Sequence, residues 1–154
     1  MLRIREVSRP STRRSGASVR PVLVDTCAYA AFMSGQAEVV EVLRHAPRIH
    51  LNTVVLGELI GGFAACSREA ANRQSLSQFL DSPRVSILDL TVDTADAYAQ
   101  VWLGLRRKGQ PIPANDLWIA ATALEHGAAL LTLDAHFHQV DGLRVVERLA
   151  DLLP

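Results

Sequence analysis

Long apolar runs are missing from this chain: none approaches the roughly 18 residues that a membrane-spanning helix requires, which excludes a helical membrane protein. Cysteine is scarce. The two residues, Cys27 and Cys66, form no CxxC pair, which excludes the common zinc and dithiol motifs and predicts reduced thiols in a cytoplasmic setting. Aromatics supply only 5% of the sequence although 49% is hydrophobic, so alanine and leucine must carry the core, which favours helices packed closely on a sheet. Net charge is also absent, at zero over 154 residues, but its distribution is uneven. Residues 1–20 hold six arginines against Glu6, leaving 15 acids against 10 bases in the remainder.

What is present begins with that basic segment. Residues 1–19 contain Arg, Ser and Pro without apolar periodicity, and they lack the 7–15-residue apolar stretch of a secretory signal. They read as a flexible basic extension, either an arm for nucleic acid or a segment with no role. The folded domain is expected over residues 20–154, long enough for a sizeable core.

From Arg20 onward the pattern alternates. Arg20–Val24, Arg48–Asn52, Val85–Leu88, Ala129–Leu133 and Leu143–Val146 read as short apolar strands. Between them, Cys27–Ser34, Gln36–Ala46, a segment capped by Thr53, residues 68–80, Val92–Lys108 and Asn115–His126 read as helices. The longest is expected to bury Val92, Ala95, Tyr98, Ala99, Trp102 and Leu105, and to stop at Gly109. Apolar strands without alternation, separated by helices, predict an α/β three-layer sandwich: a short, mainly parallel sheet of about five strands flanked by helices.

Four carboxylates occupy places that solubility does not explain. Asp25 ends the run Pro21-Val22-Leu23-Val24, and Asp134 ends Ala129–Leu133, which puts both at the carboxyl edge of such a sheet, where ligands collect. Asp116 opens Leu117-Trp118-Ile119-Ala120-Ala121 near the positive end of a helix, with Asn115 or Asp116 itself as the cap. Glu58 lies within Val54–Ile60, where an unpaired buried carboxylate would be costly. Converging acids repel unless a cation holds them. Oxygen donors suit Mg²⁺ or Mn²⁺, and such ions serve phosphodiester hydrolysis.

Val22-Leu23-Val24-Asp25-Thr26, Val55-Leu56-Gly57-Glu58-Leu59, Asn115-Asp116-Leu117-Trp118-Ile119-Ala120-Ala121 and Leu131-Thr132-Leu133-Asp134-x-x-Phe137 resemble the successive motifs of PIN-domain ribonucleases. The likeness is to the VapC-like toxins of bacterial toxin–antitoxin pairs and covers about residues 20–148. It implies a PIN-like fold and a metal-dependent endoribonuclease. Asp25, Glu58, Asp116 and Asp134 would be the metal-binding and catalytic acids, with Thr26, Asn115 and Thr132 in support. It implies Mg²⁺, or Mn²⁺, as cofactor and RNA as substrate. It further implies a homodimer and a small VapB-like antitoxin over the groove, in the cytoplasm and away from membranes. The alternative from another class is a PIN-like RNA- or protein-binding module without catalysis.

Other features weigh less. Asp93 and Asp96 complement a helix dipole. Asp134-x-His136-x-His138 would form a zinc set if extended; a short turn with Phe137 plugged into the core would instead leave the histidines beside the substrate path. Cys27 reads as a small buried thiol. Tyr98, Trp102 and Trp118 read as core or interface, and Arg106, Arg107 and Lys108 as RNA contacts or a solvated helix end. A phosphatase would need an acid where Cys27 stands. A receiver domain would need a late lysine, and the single lysine is Lys108.

Overall fold

The computed structural model describes residues 18–154, so the basic extension read over residues 1–19 lies, apart from Ser18 and Val19, outside the described residues. The strands are β1 (Val22–Val24), β2 (Ile49–Asn52), β3 (Val85–Leu88), β4 (Ala129–Leu131) and β5 (Val145–Val146). The helices are α1 (Thr26–Met33), α2 (Ala37–His45), α3 (Thr53–Ala64), α4 (Glu69–Leu80), α5 (Val92–Lys108), α6 (Ala114–Glu125) and α7 (Leu149–Leu152), with a 3-10 turn over Ala135–Gln139. Among the described residues, no helix is long and apolar enough to cross a membrane.

The strands form one sheet in the order β3-β2-β1-β4-β5, and every pairing is parallel. Central β1 and β4 are buried at every position because helices cover both faces, which is why their sequences do not alternate. The strand order reverses between β1 and β4. At that switch point the connections leave in opposite directions and open a crevice above the carboxyl ends. Asp25 directly follows β1, and Thr132, Leu133 and Asp134 directly follow β4.

Local chemistry explains most element ends. The hydroxyl of Thr91 accepts from the Thr94 N–H to cap α5, and Gly109 closes that helix at φ 66°, a left-handed conformation that glycine adopts without a Cβ clash. The cap of α3 is Asn52 rather than Thr53. Asn52 is fully buried; its Oδ1 accepts from the Val55 N–H at 2.9 Å and its Nδ2 donates to Thr122 Oγ1 at 3.0 Å. An amide can satisfy both demands at once, which a threonine hydroxyl one residue later could not. Nor does a side chain cap α6: Pro113 holds that place, and Asp116 sits within the first turn.

The inward face of α5 differs from the expected one. Thr94, Val101 and Leu105 are buried, whereas Val92 is 81% and Trp102 44% exposed. The helix rests mainly on α6, with the Tyr98 and Trp118 rings 4.3 Å apart between centroids. Apolar side chains surround α5, so hydrophobic spacing does not single out the covered side. What turns Thr94 inward is polar: its hydroxyl donates to Glu125 Oε2 at 2.5 Å on α6.

Candidate active site

Asp25 is held before any ligand arrives. As the N-cap of α1 it is 6% exposed, and its Oδ1 accepts from the Thr26 N–H at 2.8 Å. Its Oδ2 accepts from the fully buried Thr132 hydroxyl at 2.7 Å and from the Cys27 thiol at 3.3 Å. Thr132 in turn accepts the Asp134 N–H at 3.0 Å, so one hydroxyl couples the acid after β1 to the backbone after β4. This is possible only because β1 and β4 are neighbours in the sheet.

The second half of the site is built by the turn after β4. Asp134 caps it by accepting the His136 N–H at 2.9 Å, while Phe137 is buried completely and anchors the turn to the core. The turn brings the His136 ring to Asp116, which reaches over from α6. Asp116, Asp134 and His136 each direct one donor atom into a group whose members lie within 4.8 Å of one another. His136 Nδ1 is 3.4 Å from Asp116 Oδ2 and 3.3 Å from Asp134 Oδ1. Burial pushes the Asp116 carboxyl up; the hydrogen bond with His136 opposes that, and the charges of Asp25 and Asp134 add to it. Three carboxylates therefore feel one another at this edge.

Glu58 enters from the side, as its helical position requires, but for a different reason than burial. It is exposed on α3, so the sequence argument from a costly buried carboxylate does not hold. Its Oε1 instead accepts from the Thr26 hydroxyl at 3.0 Å, which links it to the residue that also orients Asp25. Asn115 is exposed at the second position of α6 and is not joined to this network.

The neighbouring candidates separate cleanly. His138 turns away, its Nε2 lying 2.9 Å from Glu147 Oε1, because the segment is a 3-10 turn rather than an extended strand. The zinc set of Asp134, His136 and His138 is thus not assembled. Burial pushes the Cys27 thiol up, with the charge of Asp25 adding to the effect against hydrogen bonds from Thr132 and the Leu133 N–H. A thiol kept protonated is a poor nucleophile. His136, read from sequence as part of a zinc set with His138 or as lying beside the substrate path, instead joins Asp116 and Asp134 without His138.

The donors fit a hard divalent cation. They are carboxylate oxygens with one imidazole nitrogen, and Asp116 is disfavoured as an anion by burial and by two like charges, a cost that a dication would relieve.

Comparison with known proteins gives the same frame. Residues 22–143 match the family model described as the PIN domain. The chain is 36% identical over 97 residues to Ribonuclease VapC4 of Mycobacterium tuberculosis, covering 62% of this chain and 74% of the relative. It is 30% identical over 125 residues to Ribonuclease VapC5 of the same organism, covering 81% of this chain and 91% of the relative. In fold it is similar to the crystal structure of VapBC-5 from Mycobacterium tuberculosis, a member of the VapBC family of toxin–antitoxin systems. The TM-score is 0.67 at 24% identity, covering 82% of this chain and 98% of that one.

Proposed function

The chain belongs to the PIN-domain family, among the VapC ribonucleases, and from that premise we propose that it is a divalent-metal-dependent endoribonuclease acting as the toxin of a toxin–antitoxin pair. One observation carries the chemical part: Asp116, Asp134 and His136 direct donor atoms into one group at the sheet edge where Asp25 follows β1. Like charges gathered around a single imidazole suit a site that works with Mg²⁺ or Mn²⁺.

In this reading Asp25, Asp116 and Asp134 hold the ion, and Glu58 orients water or substrate from the rim. A bound cation supplies Lewis acidity, activating water and stabilising charge on the phosphoryl oxygens and the leaving oxygen. The chain's own residues contribute position. Thr132 and the Thr26 N–H fix both oxygens of Asp25, so its carboxylate does not reorganise during the reaction. The Thr26 hydroxyl aims Glu58 at the same opening. Asn115 is assigned a contact with substrate rather than with the acids. In this reading the carboxylates are committed to the ion and to water, so water rather than a side chain attacks the phosphorus.

RNA is the proposed substrate and a small VapB-like antitoxin the proposed partner, the acidic pocket being suited to a basic antitoxin side chain. A homodimer is part of the same reading, with the exposed Trp102 and Leu103 of α5 as apolar area available to it. The cytoplasm is the expected compartment.

Purified protein should cleave RNA with Mg²⁺ or Mn²⁺ and stop when EDTA removes the ion. Asp25→Asn should lower cleavage on the order of 10⁴-fold with an unchanged circular dichroism spectrum. Near wild-type cleavage by that variant in excess Mg²⁺ would overturn the assignment and favour a binding module instead.

A further inference from the structure

Resting on the metal-site reading above, we infer that His136 is a nitrogen ligand of the ion, so that this site holds first-row transition dications such as Mn²⁺ in preference to Mg²⁺. The argument starts from where the ring is. The 3-10 turn is fixed at one end by Asp134 accepting the His136 N–H, and through its middle by the fully buried Phe137. Between those two anchors the His136 side chain lies along the crevice, and its Nδ1 faces Asp116 and Asp134 together.

The distances say that the ring is shared rather than paired. A charge-assisted N–H to carboxylate bond closes to about 2.7–2.9 Å. Here the two separations are 3.4 Å and 3.3 Å, nearly equal and both longer. By contrast, His138 closes on Glu147 at 2.9 Å and His50 on the Ser86 hydroxyl at 2.7 Å. His136 is thus placed between two carboxylates without committing to either, which is the disposition of a third donor around a common centre.

The chemistry then selects among ions. Mg²⁺ is hard, keeps its waters and is bound mainly through oxygen. Imidazole is a softer donor that first-row dications accept more readily than Mg²⁺, with affinity for a nitrogen-containing site lowest at Mn²⁺, rising to Cu²⁺ and falling again at Zn²⁺. Replacing the ring should therefore cost Mn²⁺ affinity and leave Mg²⁺ affinity nearly unchanged. A ring that merely steadied Asp116 and Asp134 by hydrogen bonds would affect both ions alike.

Pulsed EPR on the full chain loaded with Mn²⁺ tests this without reference to cleavage. Wild type should show ¹⁴N coupling to the bound ion, absent in His136→Gln and retained in His138→Gln. Titration calorimetry should show Mn²⁺ binding about tenfold weaker or more in His136→Gln, with Mg²⁺ binding changed less than about twofold. Mn²⁺ bound without nitrogen coupling, or coupling that survives in His136→Gln, overturns the ligand assignment while leaving the carboxylate site standing. Failure of the wild type to bind Mn²⁺ at all overturns both. Because His136 is exposed, the glutamine variant keeps its fold, and its circular dichroism spectrum checks that it does.

Discussion

Two places where carboxylates meet other side chains in this molecule behave as opposites. One joins α5 to α6: Glu125 accepts from the Thr94 hydroxyl at 2.5 Å and from the Thr91 hydroxyl at 3.2 Å. Neutral donors surround a single charge, and the same threonines form the capping box of α5. The other cluster sets the charges of Asp25 and Asp134 against Asp116, with a single imidazole shared between Asp116 and Asp134. The first arrangement is complete and stabilises helix packing. The second leaves Asp116 facing two like charges that one imidazole offsets in part, an arrangement that suits a cation from outside. The lesson is that a site for chemistry is marked less by its acids than by what fails to satisfy them.

Neutralising an acid separates the two most strongly. Asp116→Asn should reduce metal-dependent RNA cleavage on the order of 10⁴-fold, yet raise the melting temperature of the metal-free protein by roughly 2 °C, because a repelled charge is removed. If its melting temperature falls while cleavage survives, the contrast is wrong. Thr94→Val works in the other direction. Leaving Glu125 without its buried partner should cost about 1–3 kcal/mol in chemical denaturation, with cleavage per folded molecule unchanged.

Thr132→Val is subtler, since Thr132 lies beneath the acids rather than among them. Asp25 should lose one of its two fixed orientations, and cleavage should drop by about tenfold at saturating metal. Calorimetry should register weaker metal binding in the same variant. The smallest effect is the pH dependence of stability in EDTA. A carboxyl whose folded value lies above its unfolded one retains protons in the folded state over the interval between them. Stability is therefore highest below the unfolded value and falls as pH rises through the folded one. Asp116→Asn should flatten that part of the melting-temperature profile.

Much of this was legible before any coordinates, and the misses have physical reasons. The bounds of α5 follow from Thr91, the basic last turn and Gly109, all local signals. Its buried face does not, because a helix resting mainly on one neighbour buries whatever that neighbour pairs with, and Glu125 paired with Thr94. The apolar context of Glu58 suggested a buried acid. Helical geometry instead turns it, with Gly57, to the exposed side of α3, where only the Thr26 hydroxyl marks it as part of the site. Thr53 was a reasonable cap by residue type; Asn52 won because it faces Thr122 across the core.

By itself the sequence determined that Asp25 and Asp134 follow buried strands and so share one edge of a parallel sheet, although β4 stops at Leu131, two residues short of the expected Leu133. Only the tertiary structure decided that β1 and β4 lie side by side, that Thr132 joins the Asp25 carboxylate to the Asp134 backbone, and that His136 rather than His138 turns toward Asp116. Those outcomes depend on strand order and on where Phe137 finds its cavity, contacts between distant segments that no local spacing encodes.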